Sequence, residues 1–335
     1  MRKKNIIYFF LSLLMFSGLR ADEPVEPKSA LNDSQPHVLS EILQAITDPV
    51  MCIARTDADN DGSDDIVLVT LNNKILALLA QESLDFDGNK TISFIVKPVT
   101  PPVIPKPPEK TDPELTPPNR EPMLVTAVIA DINNDEYDDI ILAYAGTESS
   151  PVRILCGNSN GEYSDESEGI LPHLDIAAPA LLKTADVDSD GNMDIIITSF
   201  GRAKVDRFGV RATSQKKIYV LINDGTVFAD KTAELFGEDF CNKMVIDIQA
   251  GDFNSDNIND VVILSPEESM LYTSKEGEFT GCKLETTVKP HPRVNQEMSM
   301  DINNDGKEEP IKIQGGKAVV ITEENADTPE PGYGD

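Results

Sequence analysis

The sequence has no tryptophan, only three histidines and only four cysteines among its 335 residues. The missing tryptophan removes the commonest sugar-stacking side chain and leaves 12 Phe and 7 Tyr to supply aromatic surface. His37, His173 and His291 have no spacing that pairs them with a nucleophile, so acid–base catalysis finds little support. Basic residues are also scarce: 29 Lys and Arg face 58 Asp and Glu, a formal charge of −29. Like charge repels, so a nucleic-acid partner is excluded. Long apolar runs are absent except for residues 6–19, IIYFFLSLLMFSGL, which fall short of the ~20 residues that span a bilayer. That run follows MRKK and ends just before Ala21, so residues 1–21 read as a signal peptide. No cysteine adjoins the cleavage point to carry a lipid. The expectation is an exported chain (secreted, periplasmic or at the cell surface) with no transmembrane span once the signal is removed. Beyond residue 21 all 58 acids remain against 25 bases, a net −33.

The acid that is present is patterned. DADNDGSDDIVLV begins at Asp57, and the pattern returns at Asp131 (DINNDEYDDIILA), Asp186 (DVDSDGNMDIIIT) and Asp252 (DFNSDNINDVVIL). A weaker copy, DINNDGKEEPIKI, begins at Asp301. A disordered acidic tract would have no reason to hold Asp or Asn at positions 1, 3 and 5, an acid at 9 and apolar residues after it. Calcium takes six to eight oxygens at roughly 2.3–2.6 Å, and alternate residues of a tight loop converge on one point. The candidate ligand sets are therefore Asp57, Asp59, Asp61, Ser63 and Asp65; Asp131, Asn133, Asp135, Tyr137 and Asp139; Asp186, Asp188, Asp190, Asn192 and Asp194; Asp252, Asn254, Asp256, Ile258 and Asp260; and Asp301, Asn303, Asp305, Lys307 and Glu309. The seventh position offers its backbone carbonyl, which explains its varied side chains. Position 6 wants a residue that tolerates positive φ and is Gly62, Gly191, Gly306 or Asn257 in four copies; Glu136 is the misfit, and strain or a looser site is expected there. Five calcium sites are expected, the fifth weakest. The sets hold 17 carboxylates, so five ions restoring ten charges explain only part of the acidity.

An EF-hand is excluded, because position 12 is Leu68, Leu142, Ile197, Ile263 or Lys312 where that loop needs a bidentate Glu. The segments after position 9 (IVLV, IILA, IIIT, VVIL) and before position 1 (VMCIART, LVTAVIA, VIDIQAG) read as strands. Further strand candidates follow, such as 74–80, 91–96 and 217–223. Each unit thus holds about four short antiparallel strands, and strands such as DIIITSF lack clean polar alternation, so both faces are covered. Four-stranded units stacked in a ring make a β-propeller. Five units predict an all-β propeller of five blades; degenerate blades would raise the count to six or seven. The last unit lacks an obvious fourth strand after residues 317–324, and HVLSEILQAITD (37–48) would supply it or else form a short helix on the rim.

The D-x-D-x-D-G-x-x-D-hydrophobic pattern, with GDF at Gly251–Phe253 and the strand, N-x-G turn and Phe of residues 218–237, resembles the FG-GAP/VCBS repeat family. The resemblance covers most of residues 46–325 and implies a calcium-binding propeller related to the seven-bladed integrin α-chain head. The FG-GAP tripeptides themselves are largely absent, and Pro310 follows Glu309 in the fifth loop. The domain plan is signal 1–21, an N-terminal segment 22–45, the propeller 46–325 with a proline-rich insertion at 98–122, and an acidic Pro/Gly tail 326–335.

Two insertions fall on the face opposite the loops. Residues 98–122 hold 10 of the 23 prolines and read as an extended spacer. Residues 200–217 carry a basic island, with Arg202, Lys204, Arg207 and Arg211 as candidate contacts to an anionic ligand, against the plainer reading of a solvated charge run. Cys52, Cys156, Cys241 and Cys282 allow three disulfide pairings, but the blade plan opposes sequence-adjacent pairs and favours small buried hydrophobes. The function that fits is a non-catalytic, calcium-binding module for a protein or glycan partner at the cell surface, in adhesion or surface assembly. The alternatives are a secreted carbohydrate-active hydrolase or lyase on the same scaffold and a purely structural subunit.

Overall fold

The computed structural model describes residues 37–84, 90–104, 122–145, 151–174, 176, 179–199, 203–206, 209–212, 218–237, 245, 247–265, 269–275, 278–283, 297–300, 308–314 and 317–321. The signal segment, the C-terminal tail, Cys241 and most of the proline-rich insertion lie outside the described residues. Among the described residues no helix is long and apolar enough to cross a membrane.

The strands form five antiparallel sheets in chain order, the blades of a β-propeller. The first blade holds β1 (Val50–Thr56), β2 (Asp65–Thr70), β3 (Ile75–Leu84) and β4 (Lys90–Val99). The second holds β5 (Met123–Ala130), β6 (Asp139–Ala145), β7 (Val152–Gly157) and β8 (Tyr163–Asp165). The third is built from β9 (Pro179–Ala185) and β10 (Asp194–Ser199), then β13 (Ile218–Asn223) and β14 (Phe228–Asp230). Between its second and third strands a separate hairpin, β11 (Ala203–Asp206) with β12 (Gly209–Ala212), is inserted. The fourth blade holds β15 (Asp247–Gly251), β16 (Asp260–Leu264), β17 (Met270–Lys275) and β18 (Glu278–Lys283). The last has β19 (Glu297–Met300), β20 (Glu309–Gln314) and β21 (Lys317–Val320) among the described residues. Inner strand β1 packs beside β5, β5 beside β9 and β9 beside β15, while β1 also touches β19, so the ring closes between the first and last blades.

The second strands explain why polar alternation is missing. Along β2, Ile66 and Leu68 enter one core, whereas Val67 and Val69 enter the next. β6 divides the same way: Ile140 and Leu142 face the first blade, and Ile141 and Ala143 face the third. In β10, Ile195 and Ile197 lie in the seam with the second blade and Ile196 in the seam with the fourth. A strand between two seams must be apolar on both faces. Each fully buried Val, Leu or Ile contributes about 1.5–3 kcal/mol, so these seams dominate the stability.

Residues 37–45 form a helix, α1 (His37–Ala45), rather than an added strand. Leu39, Ile42 and Leu43 recur at helical spacing, are buried, and pack with Val320, Ala318, Ile311 and Ile53. The helix lies along β21, where a fourth strand would otherwise shield the last blade. Two short helices, α2 (Ser167–Ile170) and α3 (Thr232–Phe236), follow the outer strands of the second and third blades. Cys52 is buried in the first seam, Cys156 is half-buried and Cys282 is exposed; all three are free thiols. Burial alone thus accounts for Cys52 but not for Cys282.

Leu43 sits in the core shared by α1 and the first and last blades, so Leu43→Ala should cost about 2–5 kcal/mol and lower the melting temperature. A thermal melt compared with an exposed control, Gln44→Ala, measures it; equal melts would mean that α1 does not hold the ring closed.

Candidate metal centre

The four described loops each connect the first and second strands of a blade, so they gather on one face of the ring. All four fold by the same internal contacts. The first carboxylate caps the turn: Asp57 accepts the N–H groups of Asp61 at 3.0 Å and Gly62 at 3.1 Å. Asp131 does this for Asp135 and Glu136, Asp186 for Asp190 and Gly191, and Asp252 for Asp256 and Asn257. The carboxylate at position 5 then accepts the N–H of position 7, from Ser63, Tyr137, Asn192 or Ile258, at 2.7–2.9 Å. These are turns in which an Asp side chain mimics a backbone acceptor.

The backbone is left-handed at position 6, as the glycines require: φ is 83° at Gly62 and 90° at Gly191. Asn257 takes 65° and Glu136 75°. A long side chain at such an angle costs roughly 1–2 kcal/mol, which is the strain expected of the misfit. Position 4 is also left-handed, at Asn60, Asn134, Ser189 and Ser255, a feature the sequence reading missed. The signal was present, since Asn tolerates this region better than other side chains.

Position 9 has a second task. Asp65, Asp139, Asp194 and Asp260 each begin a second strand and are fully buried. In every case one oxygen accepts the N–H of loop position 2 and the other accepts an N–H of the third strand or its end. Asp65 binds Ala58 at 2.8 Å and Ala80 at 2.6 Å. Asp139 binds Ile132 and Gly157, both at 3.0 Å. Asp194 binds Val187 at 2.7 Å and Asn223 at 2.8 Å, and Asp260 binds Phe253 at 3.1 Å and Ser274 at 3.0 Å. The carboxylate therefore clips the loop to the sheet whether or not it also faces an ion. Burial pushes Asp65, Asp139 and Asp194 up to about 7, with the neighbouring loop carboxylates adding to the rise and the two N–H bonds opposing it.

Carboxylate oxygens also converge within two of the loops. In the first loop Asp57, Asp59 and Asp61 each bring an oxygen within 4.8 Å of the others, and in the third loop Asp186, Asp188 and Asp194 do so. One oxygen of Asp59 and one of Asp188, each Oδ1, is buried with no hydrogen-bond donor. Burial first, then their acidic neighbours, raise both groups above the usual carboxylate value. An orphaned buried oxygen costs about 1–3 kcal/mol and a crowded charge more, and a cation held there would offset both. Hard, all-oxygen donors at this spacing fit a calcium-like ion. The second and fourth loops place Asn133 and Asn254 at position 3, which lowers their charge. In the fifth loop Asp301, Asn303, Asp305 and Lys307 lie outside the described residues, and Glu309 opens β20 as the other position-9 residues open their strands. Of the basic island, Arg202 and Arg207 lie outside the described residues; Lys204 and Arg211 are register partners in the β11–β12 hairpin.

A family model described as the FG-GAP-like repeat matches residues 131–197. Over these residues the chain is similar to that repeat. The repeat begins at the second loop and ends within β10, so it takes in the second and third loops and the seam between their blades. No curated protein matches the chain. Among solved structures, BBS1N in complex with ARL6DN, soaked with mercury, is similar at 11% identity and a TM-score of 0.32, over 85% of this chain and 94% of that one. The same complex soaked with lead is similar at 11% identity and a TM-score of 0.27, over 87% and 95%. The propeller assignment rests on the strand pairing, not on these two.

The raised carboxyls set a pH dependence. Asp65, Asp139 and Asp194 keep their protons up to about 7 in the folded, ion-free chain but lose them near the ordinary value of 3.8 once unfolded. Their stabilising effect is complete below that ordinary value and disappears as pH rises to about 7. In chelator the melting temperature should therefore fall between about pH 4 and pH 7, and saturating calcium should flatten or reverse the fall; an ion-free melt that rises over this window would contradict the burial. A second outcome concerns the clip. Asp194→Ala leaves the Val187 and Asn223 N–H groups without their acceptor and should cost about 3 kcal/mol in chelator, where exposed Asp190→Ala costs less than about 1 kcal/mol.

Proposed function

We propose that the chain is an exported, calcium-stabilised FG-GAP repeat propeller that binds a protein or glycan partner and is not an enzyme. The observation that carries this reading is the pair of buried, donorless oxygens of Asp59 and Asp188 inside clusters of like charge, which only a cation resolves economically. The residues that would hold it are positions 1, 3, 5 and 9 of each loop, with the position-7 carbonyl. When bound, calcium supplies charge neutralisation and no redox or proton chemistry. The chain's own residues do the rest: position 1 shapes the turn, position 5 orients position 7, and position 9 ties the loop to the third strand.

A cavity of about 250 Å³ beside the second loop supports the partner reading. It is lined by Asn133, Ser164, Glu166, Asn223 and Thr226, with Phe228 as its aromatic wall. Amide and hydroxyl groups around one ring suit a polar ligand such as a sugar or a peptide turn. Asn133 is also a candidate ligand of the second loop, so filling that loop would order the cavity rim. The basic hairpin, on the opposite side of the blade from the loops, is a second contact for an acidic partner.

Calcium removal tests the proposal. Saturation at a hundred times Kd adds about 2.7 kcal/mol per site, so chelator should lower the melting temperature by many degrees. A glycan array and a pull-down from the native surface, each run with and without calcium, should lose their ligand with the ion. A melt and a binding profile that ignore chelator would remove both the metal and its role in recognition.

A further inference from the structure

Neighbouring loops touch, each time through position 4 of the earlier loop. The Asn60 amide, at position 4 of the first loop, donates to the Tyr137 hydroxyl, at position 7 of the second, at 3.1 Å. The Asn134 amide, at position 4 of the second, donates to Asn192 Oδ1, at position 7 of the third, at 2.7 Å. Position 4 of the third loop, Ser189, accepts the backbone N–H of Asn259, position 8 of the fourth, at 2.8 Å. The Asn259 amide also donates to the Asp186 carbonyl at 2.6 Å. A position-4 contact therefore recurs at three successive seams, to position 7 at two of them and to position 8 at the third.

Position 4 lies between two ligand positions, 3 and 5, and is held in the left-handed region at all four described loops. A shift of those two residues would carry it along. Position 7 is itself a ligand residue, through its carbonyl. At the first two seams the contact thus joins the apex of one loop to the side chain of the position-7 residue of the next. We infer that the loops are coupled: filling one loop fixes its position-4 side chain and so preorganises the following loop, making calcium binding positively cooperative around the ring. This inference rests on the calcium reading above. Ordering one site in advance of its neighbour is enough to link their affinities without a change of fold.

An opposing effect exists. Each bound ion reduces the negative field that attracts the next, which lowers affinity. That effect acts through space and weakens beyond the screening length of about 8 Å at physiological salt. It also survives when the hydrogen bond is cut, so the two separate in a double-mutant cycle.

The cycle uses Asn60→Gly, which keeps the left-handed backbone and deletes only the bridging amide, and Asp61→Asn, which empties the first loop. Terbium stands in for calcium, and its tyrosine-sensitised luminescence in 0.15 M salt reads the second loop through Tyr137. A Tyr137→Phe control assigns the signal. In the otherwise unchanged chain, Asp61→Asn should weaken terbium at the second loop about two- to fivefold, the range set by one exposed neutral hydrogen bond. In the Asn60→Gly background, already weakened by a similar factor, Asp61→Asn should weaken terbium no further and should leave only the through-space effect, a small tightening. Equal effects of Asp61→Asn in both backgrounds, or no effect in either, would overturn the coupling while leaving the metal sites standing. Absence of any calcium-displaceable luminescence would overturn the metal reading and the coupling together.

Discussion

A carboxylate with no exposed surface stands at the head of the second strand in the first four blades, and most of the molecule is arranged around it. Asp65, Asp139, Asp194 and Asp260 each bind one loop N–H and one N–H at or beside the third strand. Burying that group is unfavourable on its own, and two backbone donors offset only part of the cost, as the upward shifts of three of the four indicate. A positive charge nearby would favour the ionised form of those three at lower pH. The loop therefore cannot be treated as an appendage to the blade. The group that would hold the ion is the same group that joins strand 2, loop and strand 3, so a change at the ion would be felt in the sheet.

How much of this was legible follows from range in sequence. The loop is written in nine consecutive residues whose spacing reflects contacts two to seven positions apart, so the turn, the left-handed position 6 and the strand after position 9 could all be read locally. The blade could be read too, because apolar residues on both faces of DIIITS imply a sheet packed on two sides. What escaped was long-range. Asn60 reaches Tyr137 across 77 residues, and nothing in either segment marks the other as its partner. Position 9 was read as a simple ligand because its strand-3 donors, Ala80, Gly157, Asn223 and Ser274, offer only a backbone N–H and leave no side-chain signature. Residues 37–48 were ambiguous for a different reason: Leu39, Ile42 and Leu43 satisfy a helical stripe, but a strand seeking a partner would use the same apolar residues.

The seams differ in what specifies them. Between the third and fourth blades, Lys183 on β9 is buried against Asp247 on β15 and donates to the Ile248 carbonyl at 2.9 Å. Taking both charges out of water cancels much of their attraction, so the pair adds little net stability. Removing one partner would still leave an uncompensated charge inside the ring. Its effect is to fix which strand faces which, a choice that an apolar seam between similar blades would leave loosely determined. The seams on the loop side carry their own specification in the amide contacts from Asn134 and Asn259 and in the reach of Asn223 to the Ile132 carbonyl.

Closure of the ring tests which kind of force wins. Arg55 on the first blade donates to Glu308 and to the Ser299 carbonyl of the last blade, and to Asp64 beside it. The network looks like a latch, yet the Arg55 side chain is 36% exposed and Glu308 51%, and exposed ion pairs contribute about 0–1 kcal/mol. On the same seam, α1 buries Leu39, Ile42 and Leu43 against both blades. At about 1.5–3 kcal/mol for each side chain, the helix contributes several times more than the latch. The ring is thus closed chiefly by apolar burial from outside the repeats, and the ion pairs set its register. A last blade with three described strands can be sealed this way because a helix shields a sheet edge without needing to match its hydrogen bonds.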